Sequence, residues 1–338
     1  MEMSRRWLGT SGIEITTVGF GSWAVGGDWA FGWGDQDDGD SARAIVRAVE
    51  AGVNWIDTAA VYGLGHSEEV VGRVLSQLPA GDRPLVFTKC GLVWDAADRH
   101  ANTHRSAAPE SIRRECEISL KRLRVDHIDL YQIHWPDDDG VPPEESWGEM
   151  SRLQDAGKVR AIGVSNYDIA LLERCESVRH VDSLQPPLSM VNRGSAAAEI
   201  PWCAAHGTGV IVYSPMASGL LTDSFSPARV AAMAQSDWRR REAAYREPAL
   251  SANIALRDAL RPVAARHATT VSAVAVAWTL AWPGVTGAIV GARRPEQVDA
   301  WLPAGRLTLN ATDLAEIETA IQKTGAGSGP AVPTAPTP

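Results

Sequence analysis

Polar side chains suited to acid–base chemistry stand at or just beyond the ends of short apolar runs in this sequence. Asp57 ends the run 53–57, Lys89 ends the run 85–89, His134 ends the run 128–134, and Tyr62 follows Asp57 closely. A tyrosine hydroxyl normally titrates near ~10, and a neighbouring ammonium and imidazole make it a usable acid at neutral pH. With Asp57 holding Lys89 charged, these residues predict a proton-donor site centred on Tyr62.

Each of these residues also has a purely structural interpretation. Asp57 could cap a helix, Lys89 could end a strand in water, Tyr62 could pack as an aromatic, and His134 could be a buried core histidine. Further polar residues end the later runs in the same way, which favours one shared pocket. They are Ser165, Asn166, Gln185, Ser214 and the stretch from Gly291 to Arg294.

The apolar runs alternate with helical patterns, which is typical of a parallel sheet. Helices are predicted at 41–51, 109–123 and 312–323, the last with Thr312 as its cap. We expect an α/β protein, a (β/α)8 TIM barrel with a short N-terminal β-hairpin that plugs one end; the hairpin is assigned to 13–21. The predicted barrel strands are 53–57, 85–89, 128–134, 161–165, 183–185, 210–214, 285–291 and, to close the barrel, 306–309.

The chain is predicted to form a single barrel domain over residues 1–323. A long polar segment, 222–251, interrupts the alternation, and long connections in compact barrels tend to be functional lids. The tail 324–338 consists of Gly, Ala, Ser, Pro and Thr with one Val, so it can bury little apolar area and is expected to be disordered.

Composition excludes several classes of partner. A formal net charge of -9 without a long basic block argues against nucleic acid, and the uncharged run 271–292 is cut by Pro283 and Gly284, so a membrane span is not expected. The four cysteines are far apart and form no metal-ligand pattern. We therefore expect a cytoplasmic protein, monomer or homo-oligomer, that acts on a small molecule.

Ordered motifs along nearly the whole chain resemble those of the aldo-keto reductases. The matching segments are 19–23 (GFGSW), 55–63 (WIDTAAVYG), 87–89 (FTK), 129–136 (DLYQIHWP), 162–166 (IGVSN), 184–187 (LQPP), 213–216 (YSPM) and 287–297 (GAIVGARRPEQ). The resemblance implies NAD(P)H-dependent reduction of aldehydes or ketones, with hydride from nicotinamide C4. It also implies a catalytic tetrad of Asp57, Tyr62, Lys89 and His134, in which Tyr62 gives the proton and Lys89 lowers its pKa.

The same matching implies a cofactor site and a substrate pocket. Ser165, Asn166 and Gln185 would hold the nicotinamide carboxamide, and Tyr213 would stack on the ring. The further residues assigned to the cofactor are Gly21, Ser22, Trp23, Asp57, Ser214, Pro215, Met216, Gly219, Leu220, Gly291, Ala292, Arg293, Arg294 and Gln297. The substrate pocket is assigned to Trp23, Tyr62, Trp94, His134 and Trp135, with apolar walls suited to bulky or aromatic carbonyls.

A guanidinium suits a 2′-phosphate, so NADPH is expected, with NADH as the alternative. The sequence departs from the family pattern at Val290, where Pro is usual, and at Ala300 and Trp301, where acidic and amide residues commonly meet adenine.

Alternatives from other classes stay open at this point. One is a cofactor-binding regulatory or redox-sensing subunit of the same fold with little turnover, and another is a metal-dependent barrel hydrolase. The acidic stretch 35–40 lacks the ligand pattern of a calcium loop, so we expect it to cap a helix and we expect no metal.

Overall fold

The computed structural model describes residues 3–235 and 237–333. Its strands, in chain order, are β1 (Arg5–Trp7), β2 (Glu14–Thr16), β3 (Val18–Gly21), β4 (Trp55–Asp57), β5 (Leu85–Cys90), β6 (Leu92–Val93), β7 (His104–Arg105), β8 (Ile128–Ile133), β9 (Val159–Ser165), β10 (Ser183–Gln185), β11 (Gly209–Val212) and β12 (Val285–Gly291). Eight of them close a parallel barrel in the order β3-β4-β5-β8-β9-β10-β11-β12. The predicted (β/α)8 barrel is confirmed.

Most of the helices lie between strands in the sequence, and the last two follow the final strand. They are α1 (Asp38–Glu50), α2 (His66–Gln77), α3 (Pro109–Leu123), α4 (Pro143–Asp155), α5 (Ile169–Glu176), α6 (Glu199–His206), α7 (Pro227–Ala231), α8 (Ala249–Ala259), α9 (Arg261–Arg266), α10 (Val271–Leu280), α11 (Pro295–Trp301) and α12 (Ala311–Thr324). Asp37 caps α1 through its side chain, as the acidic stretch predicts. Asn310 caps α12, so the assignment of that cap to Thr312 was wrong.

The strand that closes the barrel is β3, and the prediction of a closing strand at 306–309 was wrong. Gly19 and Phe20 pair with Ile289 and Val290 of β12, which fills the position assigned to 306–309. Residues 306–309 follow a short 3-10 helix and form no strand. The sequence interpretation had placed 18–21 in the hairpin, whose actual strands are β1 and β2.

The hairpin plugs the barrel, as predicted. Leu8, Ile13 and Ile15 are buried and form one cluster with the inward-facing Trp55 and Phe87. Gly19 makes room for this plug, because a Cβ at that position would lie 2.1 Å from the indole of Trp55. The opposite end of the barrel, where the parallel strands finish, is left for a binding site.

The segment 222–251 folds over that open end with short helical elements. After α7 come 3-10 helices at Trp238–Arg241 and Ala243–Tyr245, and α8 begins at Ala249. The Tyr245 hydroxyl lies 2.7 and 3.0 Å from the carbonyl oxygens of Ala217 and Ser218, and a hydrogen bond to this pair fixes the segment to the loop after β11.

The prediction of a disordered tail needs correction for residues 325–333. The backbone of Ser328 pairs with Asn192, and Arg193 donates to the carbonyls of Ala326 and Gly329 at 3.0 and 3.2 Å. The tail is held by backbone hydrogen bonds to one arginine, which its apolar-poor composition does not reveal. Residues 334–338 of the predicted tail lie outside the described residues. Among those described, no helix is long and apolar enough to cross a membrane.

Candidate active site

The predicted tetrad comes together at the open end of the barrel. Asp57 ends β4, Lys89 is the penultimate residue of β5, His134 follows β8, and Tyr62 begins a short 3-10 helix after β4. Lys89 Nζ lies 2.6 Å from Asp57 Oδ1, 2.8 Å from the Thr58 carbonyl oxygen and 3.4 Å from the Tyr62 hydroxyl. The rings of Tyr62 and His134 meet edge to face with centroids 5.7 Å apart.

Burial dominates the electrostatics of the tetrad. The Lys89 and Asp57 side chains are 0% and 2% exposed. Burial lowers the pKa of Lys89 and raises that of Asp57, and the ion pair between them opposes both shifts. The contact between the two groups is therefore what favours their charged forms against burial.

Tyr62 and His134 are also shifted by burial. The pKa of Tyr62 lies well above its ordinary value, because burial and the nearby Asp57 disfavour the phenolate. The pKa of His134 lies well below its ordinary value, because burial and Lys89 disfavour the imidazolium. Desolvation is the largest effect on the pKa of Tyr62 in the protein alone, and the lowering by Lys89 that the resemblance implies stays a prediction. At neutral pH Tyr62 keeps its proton and His134 is uncharged.

The side chains expected to hold the carboxamide form a connected network beside the tetrad. Asn166 donates to the His134 carbonyl and accepts from the Tyr213 hydroxyl at 3.0 and 2.9 Å. Ser165 Oγ donates to the Gln185 carbonyl at 2.8 Å. Gln185 itself donates to Asp57 Oδ2 at 2.9 Å. Gln185 therefore contacts the tetrad directly, a link that the sequence interpretation did not include.

Most residues assigned to the cofactor line one large cavity of about 1390 Å³ that also contains Tyr62 and His134. Gly21 and Gly291, paired at the ends of β3 and β12, form part of its rim. The other assigned residues on the wall are Trp23, Asp57, Ser165, Asn166, Gln185, Tyr213, Ser214, Pro215, Met216, Gly219, Ala292, Arg293 and Gln297.

Ser22, Leu220 and Arg294 do not line the cavity. Ser22 is fully buried and donates to the Asp57 carbonyl at 3.0 Å. Leu220 is fully buried in the main hydrophobic cluster. Arg294 is exposed at the start of α11. For Ser22 and Leu220 the sequence pattern located the correct loop but could not show which side chains turn inward.

Trp94, assigned to the substrate pocket, does not line the cavity either. Its ring packs against the buried cluster that includes Trp29, Val61 and Leu92, and under the guanidinium of Arg122, whose Cζ is 5.8 Å from the ring centroid. Trp135 does line the cavity, with the Arg105 guanidinium 4.4 Å from its ring centroid. On the wall of the cavity, residues from other loops lie where Trp94 was expected.

Those residues were not among the ones assigned to the substrate pocket from the sequence. Trp238, from the segment 222–251, stacks on Trp23 with centroids 5.1 Å apart and meets Trp33 edge to face at 5.9 Å. Trp29 and Phe31 extend this wall. The only feature of the sequence that pointed to Trp238 was its place in the predicted lid, 222–251. Its contact with Trp23 arises from tertiary packing, which no local pattern shows.

Arginines gather at the far end of the cavity. Burial and the neighbouring Arg239, Arg294 and Arg229 lower the pKa of Arg293. Arg293 donates to Gln36 Oε1 at 2.6 Å and to the Trp33 and Asp35 carbonyls. Arg239 is paired with Asp237, at 2.6 Å. Neutral acceptors rather than a carboxylate hold Arg293, so its charge is available to an anion.

A barrel with a buried Lys–Asp pair under a tyrosine, beside a long cavity with cationic groups at its far end, defines a nicotinamide-dependent oxidoreductase. Sequence comparison agrees, since the model of the aldo/keto reductase family matches residues 17–322, and the chain belongs to that family. Its reaction is accordingly nicotinamide-dependent reduction of a carbonyl group.

Individual relatives cover nearly the whole chain. It is 35% identical to the aldo-keto reductase YhdN of Bacillus subtilis over 320 residues, 94% of this chain and 93% of that protein. It is 34% identical to the NADH-specific methylglyoxal reductase of Escherichia coli over 319 residues, 90% and 94% of the two chains. The glycerol dehydrogenase AKR11B4 from Gluconobacter oxydans superposes with a TM-score of 0.87 at 34% identity, covering 96% and 97%. These relatives give the regulatory alternative no support.

Proposed function

We propose that Tyr62 is the proton donor with which this oxidoreductase converts an aldehyde or ketone to an alcohol. The observation that supports it is the Tyr62 hydroxyl, 3.4 Å from the ammonium of a buried ion pair and exposed to the cavity. Tyr62 is protonated at neutral pH, so it holds the proton that a developing alkoxide needs.

The other members of the tetrad have distinct roles. Lys89 stabilises the phenolate left after transfer, because its ammonium faces the hydroxyl, and Asp57 keeps that ammonium charged. His134 is neutral beside Tyr62, so one ring nitrogen can donate to the carbonyl oxygen and orient it. The indoles of Trp23 and Trp238 exclude water from this corner.

The cavity fits a nicotinamide dinucleotide. Ser165, Asn166 and Tyr213 form a polar cradle next to the tetrad. Ser214, Ala217 and Ser218 adopt left-handed backbone conformations that turn the loop after β11 around the cavity. Backbone amides of such a loop would hold the pyrophosphate. When bound, the nicotinamide supplies the hydride from C4.

We propose NADPH as the preferred cofactor, with NADH as the alternative. The relative in Escherichia coli is named as NADH-specific, so membership of the family does not decide between NADPH and NADH. Arg293 supports NADPH, since it lines the cavity without a carboxylate partner. The Arg293→Ala variant should raise KM for NADPH at least tenfold while changing KM for NADH little. Equal effects on both cofactors would contradict the assignment.

The direct test is a substrate screen with purified protein. A panel of activated aromatic aldehydes, quinones, aldoses and methylglyoxal, supplied with NADPH and NADH in parallel, should show cofactor oxidation at 340 nm. Tyr62→Phe should abolish turnover while cofactor binding, followed by tryptophan fluorescence, stays nearly intact. Turnover by Tyr62→Phe at the wild-type rate would contradict the role of Tyr62.

We also propose a cytoplasmic location. Cys90, Cys116, Cys175 and Cys203 are all free and buried, as expected of a protein that folds under reducing conditions. Thiol titration under denaturing conditions, on protein purified without reductant, should find all of them reduced.

A further inference from the structure

A chain of buried hydroxyls lies behind the tetrad. Ser22 follows β3, Thr58 follows β4, and Ser67 lies in the first turn of α2. All three are 0% exposed. Ser67 Oγ is 3.0 Å from Thr58 Oγ1, 2.8 Å from Ser22 Oγ and 3.0 Å from the Ser22 carbonyl oxygen, and Ser22 Oγ is 3.0 Å from the Asp57 carbonyl oxygen. None of the three lines the cavity.

One arrangement of the protons satisfies all three hydroxyls of this chain. A hydroxyl has one proton to donate. Ser22 gives its proton to the Asp57 carbonyl, because a carbonyl only accepts. Ser67 then donates to Ser22, and Thr58 donates to Ser67. With every proton used, the chain is a fully satisfied polar network, and such networks are rigid.

The chain holds the peptide that binds Lys89. The Asp57 carbonyl accepts from both the amide and the hydroxyl of Ser22, at 2.9 and 3.0 Å. The next carbonyl, that of Thr58, accepts from Lys89 Nζ at 2.8 Å. Two consecutive residues thus supply acceptors to the ammonium, Asp57 through its carboxylate and Thr58 through its carbonyl. Movement of this stretch would displace Lys89 from Tyr62.

The chain also fastens both ends of the segment that carries Tyr62. Between Thr58 and Ser67 the backbone is irregular, with positive φ at Gly63, Leu64 and Gly65. Backbone hydrogen bonds lie within it, among them those from the Tyr62 amide to the Ala59 carbonyl at 3.1 Å and from the Leu64 amide to the Val61 carbonyl at 3.0 Å. The hydrogen bond between the Thr58 and Ser67 hydroxyls joins its two ends and adds to these backbone bonds in fixing the position of Tyr62.

We propose that Ser67, through Thr58 and Ser22, is a positioning residue that sets the distance between the Tyr62 hydroxyl and Lys89. This inference rests on the proposed role of Tyr62. A displacement of about 1 Å at a reacting group can cost ~100-fold in rate, so loss of the network lowers kcat while substrate and cofactor binding persist.

Two substitutions at Thr58 distinguish the effect of losing the hydroxyl from the effect of changing the shape of the side chain. Thr58→Val keeps the shape and removes the hydroxyl, whereas Thr58→Ser keeps the hydroxyl and removes a methyl group. Ser67→Ala removes the central hydroxyl. Ser146→Ala is the matched control, because Ser146 is also buried and donates at 2.7 Å, to the Ala107 carbonyl, away from the tetrad. For each variant, kcat, KM, cofactor affinity, Tm and hydrogen exchange of residues 58–67 are measured.

We expect Thr58→Val and Ser67→Ala to lower kcat about 10- to 100-fold, with KM and cofactor affinity within about threefold. Thr58→Ser and Ser146→Ala should retain near wild-type kcat, and hydrogen exchange should quicken at 58–67 only in the variants that lack a network hydroxyl. Equal kcat in Thr58→Val and Thr58→Ser would overturn the proposal.

If Ser67→Ala does not fold, the comparison of kcat between Thr58→Val and Thr58→Ser still tests the proposal. If the wild type reduces no carbonyl, the proposed role of Tyr62 fails, and hydrogen exchange alone still decides whether the network orders this segment.

Discussion

Lys89 and Asp57 form an ion pair with a 2.6 Å separation and almost no exposure to water. Removing one partner of such a pair leaves an uncompensated buried charge, which typically costs about 3–5 kcal/mol. We therefore predict that Asp57→Asn loses stability and also loses most of kcat, because Lys89 then favours its neutral form. Chemical denaturation and steady-state kinetics measure the two effects.

A paired substitution gives the control for this prediction. Lys89→Met with Asp57→Asn removes both charges and should recover part of the lost stability, but no activity. If the double variant were no more stable than Asp57→Asn, the buried charge would not be the cause of the destabilisation.

The raised pKa of Tyr62 predicts the pH dependence of carbonyl reduction. The acid form is the active one, and its pKa is raised well above the ordinary value near ~10. The decline of kcat with rising pH should therefore begin only in strongly alkaline solution. Because the pKa of His134 is lowered, its protonation should not reduce kcat until the pH is well below ~6.5.

A profile of kcat with saturating cofactor tests this directly. We expect a plateau between about pH 7 and 9. Alcohol oxidation needs the phenolate, so its rate should still be rising across the same range. A bell-shaped reduction profile with a limb near neutral pH would contradict the assignment of Tyr62 and His134.

The aromatic wall predicts which substitutions change substrate choice. Trp238 stacks on Trp23 at 5.1 Å and lines the cavity, whereas Trp94 packs under Arg122 and does not. Trp238→Ala should alter the ratio of kcat/KM for a bulky aromatic aldehyde to that for a small aliphatic one by about fivefold, since aromatic contacts of this kind contribute about 1 kcal/mol beyond burial.

Trp94→Ala is the matched control for Trp238→Ala. It removes the same side chain from the same end of the barrel, so it reports general loosening of the structure. Its ratio of kcat/KM values should stay within about twofold of the wild type. A larger change in Trp94→Ala than in Trp238→Ala would refute the assignment of the wall.

Periodicity and strand-end chemistry predicted the barrel and the tetrad because these depend on local pattern. The run 285–291 and the helix 109–123 have the observed bounds. The closing strand was misplaced because 18–21 is short and glycine-rich, and its strand character comes from pairing with β12 on one side and β4 on the other. No local pattern carries that information.

The site residues divide in the same way. Asp57 and Lys89 could be assigned to the site from their positions at strand ends alone. Trp238 reaches the cavity only because a long segment folds over the barrel. Trp94 and Ser22 were misassigned since sequence position indicates the loop and not the direction of the side chain. Gln185 was placed in the correct pocket, and its bond to Asp57 became visible only in the structure.

A second buried carboxyl predicts how stability depends on pH. Glu115, on α3, accepts from the Gly91 amide and the Ser111 hydroxyl at 3.0 Å each. Burial nonetheless raises its pKa from 4.5 to about 7. The folded protein therefore binds this proton more tightly than the unfolded chain, so the contribution is complete below about pH 4.5 and is lost as the pH rises through about 7.

Replacing Glu115 by Gln should remove this part of the pH dependence. The shift in pKa corresponds to roughly 3 kcal/mol. The wild type should therefore lose about that much free energy of unfolding between pH 5 and pH 8 through Glu115, and Glu115→Gln should not. Urea denaturation at both pH values measures the difference. Asp139→Asn serves as the control, because the Asp139 side chain is 43% exposed and should give a much smaller change. Parallel pH curves for the wild type and Glu115→Gln would show that Glu115 stays ionised in the folded protein, held by its two donors, in spite of burial.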